Sequence, residues 1–306
     1  MRQTSIRARR PADVVDSPSK DERPFGLANG RVFSSASTRR LAALAGLAVI
    51  MAAGPSLAAD PCADKAQAVQ ALHQGDEYQA ATLLFTIARL GCAPEAGALL
   101  DRGAAIDAKD REGATALGRA AQAGKMAVAA LLLDRGAEVN ARAVDGSTPL
   151  FYAAEADRAA MIRLLIDRGA DPNIAGRKGI RPLAAAAYEG SAASVELLLK
   201  HRADPNAVDD DGKSATVYAA GRAYAPVVEL LIAAGVDVNR RYAHGLTALM
   251  WAAGYDASAG VDDVEATLKA LIDHGAAVDL KDDRGKTAAD IARALGHERA
   301  TELLER

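Results

Sequence analysis

A spacing of 33 residues runs through most of this 306-residue chain and leaves it few folds to choose from. Gly103-Ala104, Gly136-Ala137 and Gly169-Ala170 fall 33 apart. The register continues through Arg202-Ala203, Gly235-Val236 and, after one step of 40, Gly275-Ala276. A second column keeps the interval at Asn140, Asn173, Asn206 and Asn239, and a third runs Gly113, Gly146, Gly179, Gly212, Gly245 and Gly285. Columns that agree on one period mark a supersecondary unit copied in tandem. Such a unit cannot bury its own apolar side and must stack on its neighbours.

The unit reads as two short helices and a turn. Asp145-Gly146 and Asp211-Gly212 are turn dipeptides at the tips of short hairpins. Thr148-Pro149 places a Thr N-cap before a Pro at the first helical position, where a missing N–H costs nothing. Thr115, Thr247 and Thr287 hold the same place. An Ala-rich helix such as Leu117–Ala123 follows, small enough for close approach, and Gly124 or Gly190 ends it. The second helix carries Leu131-Leu132-Leu133, Leu164-Leu165-Ile166 or Leu197-Leu198-Leu199, and Gly136 and its equivalents close it in a left-handed conformation.

This pattern resembles the ankyrin repeat family. The clearest units are 110–142 and 143–175; weaker copies run 77–109, 176–208, 209–241 and 242–281, with a truncated C-terminal cap at 282–306. The resemblance implies an all-α fold, an ankyrin-repeat solenoid of about seven helix–turn–helix units with short β-hairpin-like loops and a concave ligand face. The chain departs from the family in places. The His that follows Thr-Pro-Leu is replaced throughout by Gly118, Phe151, Ala184, Val217 and Met250. Arg202 stands where a helix-ending Gly belongs, and Arg181 where Thr should cap, which makes the fourth repeat the soft point of the array.

Residues 1–38 mix Arg, Ser, Pro and Asp without apolar period and read as a disordered extension. Residues 39–59 have the form of a secretory signal peptide: Arg39-Arg40, the apolar run Leu41–Ala53, then small residues, with cleavage expected after Ala58 or Ala59. An uncleaved inner-membrane anchor is the other reading of this run. Two accounts fit the long leader: a start near Val32, which is favoured, or twin-arginine export through Thr38-Arg39-Arg40-Leu41, from which Ala42 and Ala43 depart. Either route places the domain in the periplasm or outside the cell.

Charge and chemistry narrow the function. Residues 1–58 carry nine Lys/Arg against four Asp/Glu; the rest carries 28 against 36. A mature domain this acidic has no general attraction for nucleic acid. Gly212-Lys213-Ser214 and Gly285-Lys286-Thr287 end like phosphate loops, but the leading Gly is Ala207 or Leu280. The five histidines share no metal-ligand spacing, and Asp209-Asp210-Asp211 lacks the alternation and closing Glu of a calcium loop. No enzyme, cofactor or metal site is therefore expected. Residues 60–76 read as an N-terminal cap, with helices at Ala63–Gln74 and Glu77–Leu90 joined at Gly75-Asp76. Antiparallel packing of that pair brings Cys62 near Cys92, so a bridge worth about 3–4 kcal/mol would pin the cap, with two unpaired thiols as the alternative.

What remains is a binding surface for another protein on a monomeric array. By the family's pattern, hairpin tips and first helices supply it. The second repeat gives Arg111, Glu112, Gln122 and Arg142; the third Val144, Asp145 and Glu155. The fourth gives Arg177, Lys178, Ile180, Tyr188 and Glu189; the fifth Asp210, Asp211, Lys213 and Arg222; the sixth His244, Leu246 and Tyr255. Phe151, Tyr152, Tyr218 and Trp251 on the same helices either fill gaps between Ala-rich neighbours or join the contact. The step of 40 inserts seven residues near Gly254–Gly260, read as a projecting surface loop. The favoured role is support of an exported enzyme. The alternatives are an immunity or inhibitor protein for a toxin or hydrolase, and a small-molecule or metal sensor using His244, Tyr255 and the acidic tips.

Overall fold

The computed structural model describes residues 61–306 apart from 74 and 256–258, so the extension expected at 1–38 and the signal peptide expected at 39–59 lie outside the described residues. Among the described residues there are fifteen α-helices and no strand, only an isolated bridge between Val208 and Ser214. The hairpin-like loops are therefore closed turns and not β-ribbons.

The helices alternate between two rows. The inner row is α2 (Glu77–Leu90), α4 (Ala116–Ala123), α6 (Pro149–Glu155), α8 (Pro182–Tyr188), α10 (Ala215–Gly221), α12 (Ala248–Ala253) and α14 (Ala288–Ala294). The outer row is α3 (Ala93–Asp101), α5 (Met126–Asp134), α7 (Ala159–Asp167), α9 (Ala192–Lys200), α11 (Ala225–Ala233), α13 (Val261–Asp273) and α15 (Glu298–Leu304). Each inner helix packs on its own outer helix and on the inner helices before and after it, and the outer row does the same. The N-terminal helix α1 (Ala63–Ala71) packs on α2 and α3.

The period appears physically as two buried columns. Ala120, Ala153, Ala186, Ala219, Ala252 and Ala292 are all at most 1% exposed where inner helices meet, since a methyl is the largest group that lets the backbones approach. Leu132, Leu165, Leu198, Leu231 and Leu271 are fully buried in the outer row. Each such Leu contributes about 1.5–3 kcal/mol, and only because the next repeat covers it.

The polar columns have equally local causes. The side chains of Thr115, Thr148, Ser214, Thr247 and Thr287 accept the backbone N–H three residues on, capping α4, α6, α10, α12 and α14. Arg181 at the start of α8 makes no such bond. Every tip is closed by an N–H to carbonyl bond across five residues, Asp110 to Ala114 at 3.0 Å and Asp209 to Lys213 at 2.9 Å being two of six. Its fourth residue is a glycine with positive φ, and a Cβ on Gly113 would lie 2.7 Å from the Val144 nitrogen. The Asn column joins repeats: Asn173 donates from Nδ2 to the Arg202 carbonyl at 3.0 Å and accepts the Asp204 N–H at 2.8 Å. Asn140 and Asn239 repeat that double contact one repeat along.

Three expectations meet the structure here. Cys62 and Cys92 are bridged, with Cα atoms 5.5 Å apart, linking the starts of α1 and α3. Arg202 does adopt the left-handed region, at φ 66°, where Gly103, Gly136, Gly169, Gly235 and Gly275 stand in the other repeats. The seven-residue insert, however, is not all loop. Outer helix α13 has 13 residues against nine in α11, so four of the seven extend a helix. Of the rest of that insert, residues 256–258 lie outside the described residues.

Replacing Arg202 with Gly removes the left-handed penalty but gives back some unfolded-chain entropy, so a net gain of about 1 kcal/mol is expected. A thermal melt should show the midpoint rising by about 2–4 °C. The double variant Cys62→Ser/Cys92→Ser should lose up to about 3–4 kcal/mol. Hydrogen exchange should place the faster amides in α1 and leave α8 and α10 unchanged.

Candidate functional site

The tips and the inner helices behind them present most of the charged and aromatic side chains that sequence reasoning selected. Arg111, Glu112, Gln122, Arg142, Val144, Asp145, Lys178, Asp210, Asp211 and His244 are exposed, Val144 at 84%. Glu155, Arg177, Tyr188, Glu189, Lys213, Arg222 and Tyr255 are half-buried. Two of the selected residues are corrected. Ile180 is 3% exposed and Leu246 is not exposed at all. Each follows the tip glycine and closes its turn, accepting the Gly176 and Tyr242 N–H at 2.8 Å. Their side chains belong to the core and offer a partner nothing.

Some of these residues gather into three clusters, each bridging elements, and Arg142, Val144, Lys178 and His244 join none of them. In the first, Arg119 of α4 reaches back to its own tip. Its Nε donates to Asp110 Oδ2 and its Nη2 to Glu112 Oε2, both at 2.6 Å, while Nη1 meets Gln122 at 3.4 Å. Burial disfavours the charge on Arg119, but the hydrogen bonds to Glu112 and Asp110 outweigh it and hold the guanidinium more firmly protonated than usual. Asp110 Oδ1 meanwhile accepts the Glu112 and Ala114 N–H groups, so one carboxylate sets both the turn and the arginine.

In the second, Arg177 pairs with Glu155 and lies 5.6 Å from the centre of the Phe151 ring. Burial pulls its pKa below the ordinary arginine value, offset by Asp145 and Tyr152. Tyr152 is pushed up to about 12, first by burial and then by Asp145. Phe151 is fully buried and Tyr152 nearly so, which settles these two as packing groups.

The third cluster spans the fourth to sixth repeats. Arg222 stacks 4.3 Å over Tyr188, and Tyr218 meets Tyr188 edge-on at 5.8 Å. The Tyr218 hydroxyl donates to Asp209 Oδ2, whose other oxygen accepts the Asp211 and Lys213 N–H groups at 3.0 and 2.8 Å. Lys213 in turn lies 5.7 Å from the Trp251 ring and 3.7 Å from Asp211. Glu189 is raised above the usual carboxylate range by burial, with Arg222 opposing. Tyr255 stands apart, stacked on His297 at 3.9 Å, and the His297 ring is held 2.9 Å from the Ala253 carbonyl.

Sequence reasoning missed Arg119, Asp110 and Asp209. The signal was there in outline, since Asp110, Asp209 and Asp282 open three tips in one register, and each accepts the two N–H groups of its own turn. For metal chemistry, the one set of three ligand atoms within 4.8 Å among the described residues is Cys62, Cys92 and Glu95, and both of its sulfurs are in the bridge. His244 instead sits at an exposed tip with φ 61°, its carbonyl accepting the Asp283 N–H at 3.1 Å.

Tyr218→Phe removes the hydroxyl that anchors Asp209 and should cost about 1 kcal/mol. Amide exchange at Asp211 and Lys213 should quicken, while that at Glu112 and Ala114 stays constant.

Among known proteins, the family model described as ankyrin repeats (3 copies) matches in five overlapping stretches, residues 56–143, 87–176, 137–209, 183–264 and 218–306. No curated protein sequence matches the chain.

Proposed function

Because this chain belongs to the ankyrin-repeat family, whose members generally serve protein–protein interaction, we propose that it is a non-catalytic scaffold that holds a partner protein against its tips and inner helices. The observation that carries this reading is the third cluster. Arg222 and Tyr188 are residue types that dominate interface energetics, and here they are already stacked, while Trp251, 8% exposed, packs behind the Lys213 ammonium. Side chains fixed before binding lose little rotamer entropy on binding, which raises the affinity available from a given area. Cations over rings and carboxylates beside them suit a protein surface of mixed polarity better than a polyanion.

The working place of the scaffold is outside the cytoplasm. The Cys62–Cys92 bridge supports this, because such bonds persist in oxidising compartments. No helix among the described residues is long and apolar enough to cross a membrane. The partner best suited to this setting is an exported enzyme that the array supports as a monomer.

Photo-crosslinking in the native compartment tests the assignment. A crosslinker placed at Lys178, on the exposed rim, should capture a discrete chain. Arg222→Ala and Tyr188→Ala should each weaken that partner by about 2 kcal/mol, or roughly thirtyfold. Capture that persists unchanged in both variants would move the interface elsewhere.

A further inference from the structure

The first repeat lacks the part that every later repeat places in front of its inner helix. Counting back 33 from Gly113 puts the missing tip glycine at Ala80, inside α2. Helix α2 has 14 residues where α4 has eight, so its first six, Glu77 to Thr82, occupy the sequence that would have folded as a tip. A groove of about 540 Å³ lies between that extension and the first true tip. Tyr78, 78% exposed, and half-buried Phe85 form its apolar side.

The opposite side is cationic. Arg89, Lys109, Arg111 and Arg119 line the groove against Asp110 and Glu112. Both carboxylates are spent on Arg119. Arg89, Lys109 and Arg111 therefore have no carboxylate partner among the described residues, Lys109 donating only to the Arg142 carbonyl at 2.9 Å, in a chain whose residues after 58 carry eight more acids than bases.

A backbone donor faces the same gap. At three of the five later junctions the second tip residue donates its N–H to a carbonyl of the preceding tip: Val144 to Glu112 at 3.0 Å, and Asp210 to Lys178 and Asp283 to His244 at 3.1 Å. At a fourth the Arg177 N–H goes to the Ser147 hydroxyl at 3.4 Å, and at the fifth the Ala243 N–H has no acceptor among the described residues. Arg111 is the second residue of the first tip, and no preceding tip exists to receive its N–H. Among the described residues that N–H has no acceptor.

We propose that this groove is a second docking site, separate from the third cluster, and that it takes an extended acidic peptide segment of a partner protein. A main-chain carbonyl of the segment accepts the Arg111 N–H as the missing tip would have. Its carboxylates pair with Arg89, Lys109 and Arg111, and an apolar side chain lies along Tyr78 and Phe85. The basic residues 1–58 of the chain itself have the wrong sign to fill it.

Fluorescence anisotropy on the mature chain tests this with a labelled peptide of alternating Glu and Leu, beside one of alternating Lys and Leu. The acidic peptide should bind, weaken as salt rises, and outcompete the basic one. Arg89→Glu/Arg111→Glu should weaken it at least about tenfold, while Arg163→Glu on the outer row leaves it unchanged. Arg111→Pro, which keeps the turn but removes the N–H, should weaken it beyond Arg111→Ala. Arg222→Ala should leave it untouched, which separates this site from the third cluster. Equal binding of both peptides, indifference to the double reversal, or displacement of the peptide by a second copy of the chain or by a single-stranded oligonucleotide would overturn the proposal.

Discussion

Everything in this molecule depends on apolar surface that a neighbour alone can cover. A pair of helices of six to 14 residues is too short to be stable in isolation, and most of its stability must come from tertiary packing. The Ala column at the inner seam and the Leu column at the outer one supply that packing in equal portions, because the period returns the same residue type to the same contact. Alanine sets a small, uniform spacing between inner helices, and leucine fills the wider gap behind them. Neither column exists within one repeat.

Burial alone would allow neighbours to slide, and the polar columns prevent it. An Asn whose amide both donates to and accepts from the next repeat's backbone can be satisfied in one register only. The tip-to-tip bonds from Val144, Asp210 and Asp283 fix the other edge of the stack. Ion pairs between outer helices, Arg135 with Asp101 and Arg168 with Asp134, recur at the same interval but are exposed and add little. The third cluster inherits its order from this register, because Tyr188 of the fourth repeat, Arg222, Tyr218 and Lys213 of the fifth and Trp251 of the sixth meet only when the repeats are aligned.

The sequence disclosed those features whose cause lies within a few residues. Thr caps, tip glycines and the left-handed Arg202 each follow from local geometry, and the cysteine pairing followed from placing two helices antiparallel. Features whose partner stands some 33 positions away were harder. The Asn column was visible as a column, but its purpose needed the carbonyl of the next repeat. Ile180 and Leu246 read as contacts in the sequence because they sit beside the tips. One residue past a tip glycine the apolar Ile180 and Leu246 turn toward the core, whereas Lys213 and Lys286 at the same place stay half-buried and exposed. The insert was legible as a count of seven and not as a division between helix and loop. Arg119 escaped notice because a lone arginine in an Ala-rich helix reads as solvated until Asp110 and Glu112 are found folded back against it.

The bridge between Cys62 and Cys92 gives the stack a polarity. One end is shut by a covalent bond; the other ends in α15, seven residues long and fastened by surface contacts such as Arg299 with Asp262. Local opening is therefore suppressed most in the repeats beside the bridge, where a protease that needs loosened chain finds least of it. A covalently sealed leading end thus determines which half of the array stays closed longest.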